Sequence, residues 1–257
     1  MKRIHVFEFE DFQWFPKFLR VCLTNYIVTF HRLLDSAANL TILLTDLLSR
    51  TNSRKIVDLC SGGGGPMLWV YDQLKAEFPD LQLTMTDLYP NATAVKRIGQ
   101  EGPVTYQPES VDAGNVSENL DGIRTMICSM HHMRPEGLKD ILANAQEANQ
   151  PFLGYEISDN SFPKAIWWIA FPINIISVLL VTPLVRPMTW QQLVFTYLIP
   201  ILPLLIAWDG AVSNARTYTL KDMDLILSDL PKTGYLWETG AMEGKGGKKL
   251  YLKGIPS

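Results

Sequence analysis

Apolar residues recur every three or four positions in FPKFLRVCLTNYIVTFHRLLDSAANLTILLTDLLSR (15–50), so residues 1 to about 50 read as helical. From residue 55 the pattern changes. Short apolar runs at 55–60 (KIVDLC), 81–89, 104–110, 123–130 and 151–157 predict strands. The stretches 67–77, 92–100 and 136–149 between them predict helices, the last behind Pro135 as a first-turn proline. Strands alternating with helices imply βαβ units, a parallel sheet and an α/β fold. The alternation stops after Ile157 and resumes at TYTLKDMDLILSDL, where Thr219 and Asp222 have the spacing of a helix cap. YLWETGAM and KKLYLKGI, joined by EGKGG, predict a closing β-hairpin.

The interruption is strongly apolar. Residues 165–185 and 189–208 contain no charged side chain, and each is near the roughly 20 residues a bilayer-spanning helix needs. The fifth strand precedes this block and the last helix follows it, so both ends must lie on one side of a membrane. Three arrangements satisfy that: a spanning hairpin turning at Arg186-Pro187-Met188, a hairpin lying in one leaflet, or a lid in water. Pro172, Pro183, Pro200 and Pro203 interrupt the segments, which a spanning helix tolerates poorly. Trp167, Trp168, Trp190 and Trp208 stand near the segment ends, as at a membrane interface. The expected partner of 165–208 is therefore a membrane. The organisation read from the pattern is a helical N-terminal cap (1–50), an α/β domain (51–161 and 215–257) and an apolar helical insertion (162–214).

Composition narrows the class. A net charge of −3 over 257 residues argues against a nucleic-acid partner bound by charge neutralisation. Cys22, Cys60 and Cys128 share no short spacing, so neither a disulfide framework nor a zinc site is expected, and no metal. The N-terminus acquires Glu8, Glu10 and Asp11 with no apolar run behind them, so no secretory signal is read and the main body is expected in the cytoplasm.

The chemistry concentrates in KIVDLCSGGGGPMLW (55–69). Glycines lose more backbone entropy on folding than other residues, so four in a row serve something that side chains would obstruct. A glycine turn between strand and helix offers bare backbone and free N–H groups to an anion. A phosphate-binding Walker loop needs G-K-[ST], but Pro66-Met67 follow. A dinucleotide G-x-G-x-x-G meets Met67 or Leu68 where its last glycine belongs.

What fits is Asp58-Leu-Cys-Ser-Gly62-Gly-Gly64, which resembles the first motif, D/E-x-G-x-G-x-G, of the class I S-adenosylmethionine-dependent methyltransferases. Cys60 replaces the first glycine. The resemblance extends over about 50–157 and 215–255. It implies a doubly wound, mostly parallel seven-stranded sheet with a C-terminal antiparallel hairpin, and S-adenosyl-L-methionine as cofactor. The implied binding residues are Asp58, Cys60, Ser61, Gly62, Gly63 and Gly64 in the turn. Asp87 and Leu88 at the end of the second strand belong with them, as do Asp112 after the third and Ser129 at the end of the fourth. Asp112 also suits an Asx turn in SVDAGN.

Methyl transfer needs alignment, and a base only where the acceptor must lose a proton. SMHHMRPE (129–136) resembles the His-His segment many members carry after the fourth strand. His131 and His132 are the candidate bases there, with Glu156 at the fifth strand as a further candidate. In a continuing strand the two imidazoles would point to opposite faces. Asp209, Ser213, Arg216 and Tyr218 re-enter the polar domain together, either to read a headgroup or to anchor the insertion by salt bridging. The expected activity is methylation of an apolar small molecule or lipid at a membrane. The competing expectations are an inactive membrane scaffold or an NAD-dependent reductase.

Overall fold

The computed structural model describes residues 1–231 and 234–257. The helical spacing takes hold only at α1 (Lys17–Leu33), and α2 (Ser36–Thr51) follows. Residues 1–16 are an extended strap with one 3-10 turn, Phe9–Asp11, which corrects the expectation of helix from the start. The strap satisfies its backbone groups on distant chain: the Ile4 N–H donates to the Ala215 carbonyl and the Phe9 N–H to Asp209 Oδ1, each at 2.8 Å.

The apolar runs become β1 (Lys55–Leu59), β2 (Gln82–Met85), β3 (Val104–Tyr106), β4 (Ile123–Ile127) and β5 (Phe152–Glu156). Between them lie α3 (Met67–Leu74), α4 (Ala92–Ile98) and α5 (Pro135–Glu147), with Pro135 in the first turn of α5. After the apolar block come α9 (Leu220–Ser228), β6 (Tyr235–Gly244) and β7 (Gly247–Pro256). Thr219 and Asp222 form the expected reciprocal cap of α9. One seven-stranded sheet results, in the order β3-β2-β1-β4-β5-β7-β6. Its first five strands are parallel, and β7 runs antiparallel to both β5 and β6. The doubly wound fold expected from the sequence is the observed one. The strand order reverses between β1 and β4, and ligands in open α/β sheets bind outside the carboxyl ends of strands at such a point.

Two apolar layers hold the sheet. On one face Leu40, Leu44, Leu47 and Leu48 of α2 pack with Val70 and Leu74 of α3 over Ile56, Leu83 and Tyr155. On the other, Leu138 and Leu142 of α5 and Met223 and Ile226 of α9 pack over Val57, Met126 and Leu252. α2 is thus part of the sheet's own wall. α1 instead joins the inserted block, where Phe15, Leu23 and Tyr26 meet Val178, Val185, Leu202 and Ile206.

That block is not two similar helices. Its first half is one continuous helical run, Lys164–Leu184, centred on α6 (Ala170–Val181). The second half begins with α7 (Trp190–Leu193), widens into a π turn (Val194–Leu198) and bends 88° into α8 (Ile201–Arg216). The interruption that the prolines signalled in 189–208 thus falls at residues 199–200. Pro200 and Pro203 lack the N–H groups a continuing helix would need, and Ile199 reaches back to the Val194 carbonyl instead.

Candidate active site

The glycine turn follows β1 at the switch point. Cys60 has φ 58° and Gly62, Gly64 and Gly65 have φ of 53°, 96° and 41°, a left-handed stretch that favours glycine. Cys60 holds the conformation for which glycine is otherwise used, so replacing the motif's first glycine costs strain and leaves the turn's path intact. Side chains clamp the turn from below. Tyr106 donates its hydroxyl to the Gly62 carbonyl at 2.9 Å, and Arg97 Nη2 donates to the Gly63 carbonyl at 2.7 Å. A Cβ on Gly63 would meet Thr24 Cγ2 of α1 at 2.5 Å, so α1 lies directly over the turn. A Cβ on Gly62 or Gly65 would meet nothing within 4 Å. Among the described residues, the N–H groups of Gly63 and Gly65 have no hydrogen-bond partner.

The carboxylates divide by burial. Asp58 sits beneath the turn, accepting from Ser61 Oγ and Thr125 Oγ1 at 2.6 Å each. Burial pushes it up to about 6, against those two hydrogen bonds. Asp87, at the end of β2, is half-exposed. Its Oδ2 accepts the Gly62 N–H and its Oδ1 the Tyr89 N–H, each at 2.8 Å, so the second strand's carboxylate is tied to the first strand's glycines. Leu88 beside it is exposed. The Val111 N–H donates to the Asp87 carbonyl, which brings Asp112 to the same rim, where Asp112 Oδ1 accepts the Gly114 N–H in an Asx turn. Burial pushes the Cys60 thiol up to about 12, which keeps it neutral. Ser129, buried two residues past β4, has a hydroxyl beside the Cys60 thiol and, among the described residues, no other hydrogen-bond partner.

Asp58 carries a pH prediction. Its folded value lies above the roughly 3.9 of a free aspartate. Its contribution to stability is therefore complete below about pH 4 and is lost as the pH rises through about 6. The pH 7 minus pH 4 difference in unfolding free energy should be more favourable in Asp58→Asn than in wild type, by about 2–3 kcal/mol. Urea titrations of both proteins at the two pH values measure it.

Past Ser129 the chain does not continue as a strand. It turns through a 3-10 segment, Met130–His132, so the imidazoles of His131 and His132 lie side by side with ring centroids 4.3 Å apart. This corrects the opposite-face expectation. The turn fits because Gly154 of β5 leaves room for Met130: a Cβ there would meet Met130 Sδ at 2.3 Å. Gly154→Ala should therefore lower stability by about 1–3 kcal/mol through overpacking, read as a shifted urea midpoint with unchanged m.

Around the histidines lies a partly buried ionic cluster. Glu156 Oε2 is 2.9 Å from His131 Nδ1, and Glu156 Oε1 accepts the His131 backbone N–H at 3.1 Å. Asp11 Oδ1 is 3.1 Å from His132 Nδ1. Arg216, from the end of α8, donates to Glu8 Oε1 at 3.0 Å and to Asp11 Oδ2 at 2.6 Å. Burial disfavours charge on His132, but Glu8 and Asp11 outweigh it and raise it to about 9. Burial likewise opposes charge on Asp11, and hydrogen bonds from His132 and Arg216 hold its carboxyl below the usual range. Asp209, Arg216 and Tyr218 anchor the insertion: Asp209 accepts the Phe9 N–H, Arg216 pairs with Glu8 and Asp11, and Tyr218 donates to the Met133 carbonyl while accepting from Arg3 Nη1; the Ser213 hydroxyl bonds only the Asp209 carbonyl of its own helix.

The structure thus gathers the turn, Asp87, Asp112 and Ser129 at one rim, and His131, His132 and Glu156 at the ends of β4 and β5. Glu8, Asp11 and Arg3 escaped the sequence reading; only the acidic density of EFED (8–11) could have signalled them.

No family model matches the chain, and no curated protein matches it. Solved structures do. The plantazolicin methyltransferase BamL, in complex with a triazolic desmethylPZN analog and SAH, superposes with a TM-score of 0.54 at 12% identity, covering 93% of this chain and 98% of that one. The plantazolicin methyltransferase BpumL, in complex with SAH, superposes at 0.51 and 10% identity, covering 94% and 98%. The chain shares their fold. At such identities the likeness extends to the architecture alone.

Proposed function

We propose that the chain is an S-adenosylmethionine-dependent methyltransferase that works at a membrane surface on an apolar acceptor. The observation that carries this is the open glycine turn at the switch point, with unpaired N–H groups at Gly63 and Gly65 and with Asp87 tied to Gly62. The residues suit the cofactor. The unpaired N–H groups suit its carboxylate. Asp87 keeps lone pairs for the ribose hydroxyls, and the Ser129 hydroxyl offers one more polar contact. Asp112 stands at the adenine side of the rim. When bound, the cofactor supplies an electrophilic methyl group on a sulfonium, open to in-line displacement.

The chain's own residues align and dry the site. Asp58 organises the turn through Ser61 and Thr125. α1 covers it from above, and the strap closes over the ends of β4 and β5. There the acceptor meets His131 and His132. Nδ1 of His131 is taken by Glu156, so its free nitrogen is Nε2, which faces Glu8. His132 is held by Asp11 and is charged at neutral pH, which suits a base poorly.

Topology and surface support the membrane part of the reading. Lys164–Leu184 is long and apolar enough to cross a bilayer, yet one crossing would strand α9, β6 and β7 on the wrong side of their own sheet. The return is bent by 88°, and the end of α8 is committed to the ion pairs of Arg216. Ile173, Ile176, Leu180 and Leu184, at the three- and four-residue spacing of one helix face, are exposed. Trp14, Trp168 and Trp190 are exposed as well. A hairpin lying in one leaflet fits these facts, with the α/β domain on the cytoplasmic side.

The test is incubation of the membrane-bound protein with methyl-labelled cofactor and a total lipid extract, followed by phase partition. Label in the organic phase is expected. No transfer to any acceptor overturns the enzyme reading, and label confined to water-soluble products overturns the apolar acceptor.

A further inference from the structure

Glu8, His131 and His132 stand in an arrangement that hydrogen bonding does not account for. His131 Nε2 is 3.9 Å from Glu8 Oε1, and His132 Nε2 is 3.8 Å from Glu8 Oε2. Both separations are too long for hydrogen bonds. Among the described residues neither Nε2 has a hydrogen-bond partner, although the His131 side chain is 93% buried and the Glu8 side chain 97%. One donor atom from each of the three residues lies within 4.8 Å of the others. A tetrahedral ion about 2.0–2.2 Å from each donor holds its donors about 3.4 Å apart, so the pairs at 3.9 and 3.8 Å close in by about half an ångström on binding.

The surroundings match what ligating imidazoles require. A metal-bound histidine gives its other nitrogen to a carboxylate, which fixes the tautomer and aims the ligating nitrogen. Here this happens twice: Glu156 holds His131 Nδ1 at 2.9 Å and Asp11 holds His132 Nδ1 at 3.1 Å. Arg216 donates to Glu8 Oε1 and fixes that carboxylate, whose Oε2 faces His132 Nε2 at 3.8 Å. Three carboxylates, of Glu8, Asp11 and Glu156, balance the guanidinium groups of Arg216 and Arg3 and the charged His132, so a bound ion takes the place of the His132 proton. The half-exposed edge of His132 leaves an approach from solvent.

We propose that Glu8, His131 and His132 bind a divalent transition-metal ion of the zinc class, with Glu156 and Asp11 as positioning residues. Two imidazoles and one carboxylate suit zinc or its first-row neighbours better than magnesium or calcium, which take oxygen ligands. Three protein ligands leave a position open. The site stands where the proposed acceptor would lie, and an ion there polarises an acceptor oxygen or sulfur; that role rests on the methyltransferase reading, whereas binding of the ion does not.

The test uses untagged full-length protein, stripped with chelator and titrated with zinc or cobalt alone. About one equivalent per chain is expected. His131→Gln and Glu8→Gln should abolish stoichiometric binding, and Glu156→Gln should weaken it about 10–100-fold. Thermal unfolding in chelator and affinity for S-adenosylhomocysteine, measured on each variant, show whether the fold and the cofactor site survive independently. Wild type that retains no stoichiometric zinc or cobalt, or variants that bind as wild type does, would overturn the site. Where a variant fails to fold, X-ray absorption on the zinc-loaded wild type decides: two imidazoles in the shell support the site, and a shell without imidazole overturns it.

Discussion

Replacing Asp87 by alanine should weaken binding of S-adenosylhomocysteine by about 10²–10⁴-fold in a calorimetric titration. Asp87 is the carboxylate at the tip of β2, and both its oxygens already take backbone N–H groups, from Gly62 and Tyr89. Two hydrogen bonds from ribose hydroxyls to an ionised carboxylate contribute about 1.5–3 kcal/mol each. Together they account for that range, since about 1.4 kcal/mol is a factor of ten. The alanine also frees the Gly62 N–H and loosens the turn that exposes Gly63 and Gly65, which adds to the loss. Asp87→Asn separates the two effects. The asparagine oxygen still accepts one N–H, so the turn stays held while the charge is gone, and an intermediate loss is expected. The alanine also gives up the two backbone hydrogen bonds that Asp87 accepts, so its urea midpoint should fall, and that of Asp87→Asn, which keeps one, should fall less. Unchanged affinity in Asp87→Ala would remove the cofactor from this turn, and with it the proposed activity.

The sheet was legible because its signals are local. Each strand of the βαβ part is a short apolar run, and the Thr219–Asp222 cap and the glycine loop of the hairpin are written within a few residues. The glycine turn was legible for the same reason, down to Cys60, whose left-handed backbone shows the departure to be one of residue type and not of path. The ionic cluster was not. Glu8 and His131 are separated by most of the sheet, and Arg216 reaches them only because α8 ends beside the strap. No spacing rule relates such positions. The stacking of His131 on His132 was missed because the chain leaves β4 at Ile127, four residues before His131, through a turn that Gly154 on the neighbouring strand permits. The break in the second apolar segment was half legible: the prolines were visible, but they do not set its size, 88°.

Three aspartates on the insertion should move the protein from the membrane pellet to the supernatant. Ile176, Leu180 and Leu198 have side chains 60%, 71% and 77% exposed, so the substitutions Ile176→Asp, Leu180→Asp and Leu198→Asp disturb little packing. Each removes an apolar side chain whose burial in lipid is worth about 1.5–3 kcal/mol. Each also adds a carboxylate that costs up to about 3 kcal/mol at depth in a bilayer, and less near the headgroups. The sum is on the order of 10 kcal/mol against insertion, more than a marginal surface association can absorb. Flotation on liposomes of wild type and the triple variant reads the effect, with circular dichroism and urea midpoints confirming the fold. A triple variant that floats as wild type does would show that this face never met lipid. The depth of the contact is then open to a second measurement. With Met188→Cys at the tip of the hairpin, sealed inverted and right-side-out vesicles are treated with a membrane-impermeant maleimide. A hairpin in one leaflet keeps its tip from reagent on the far side, because its helices run along the membrane and return. Labelling from the far side alone would mean that the bent second half crosses after all, and that α8 is drawn out of its contacts with Glu8 and Asp11 when the protein meets a bilayer.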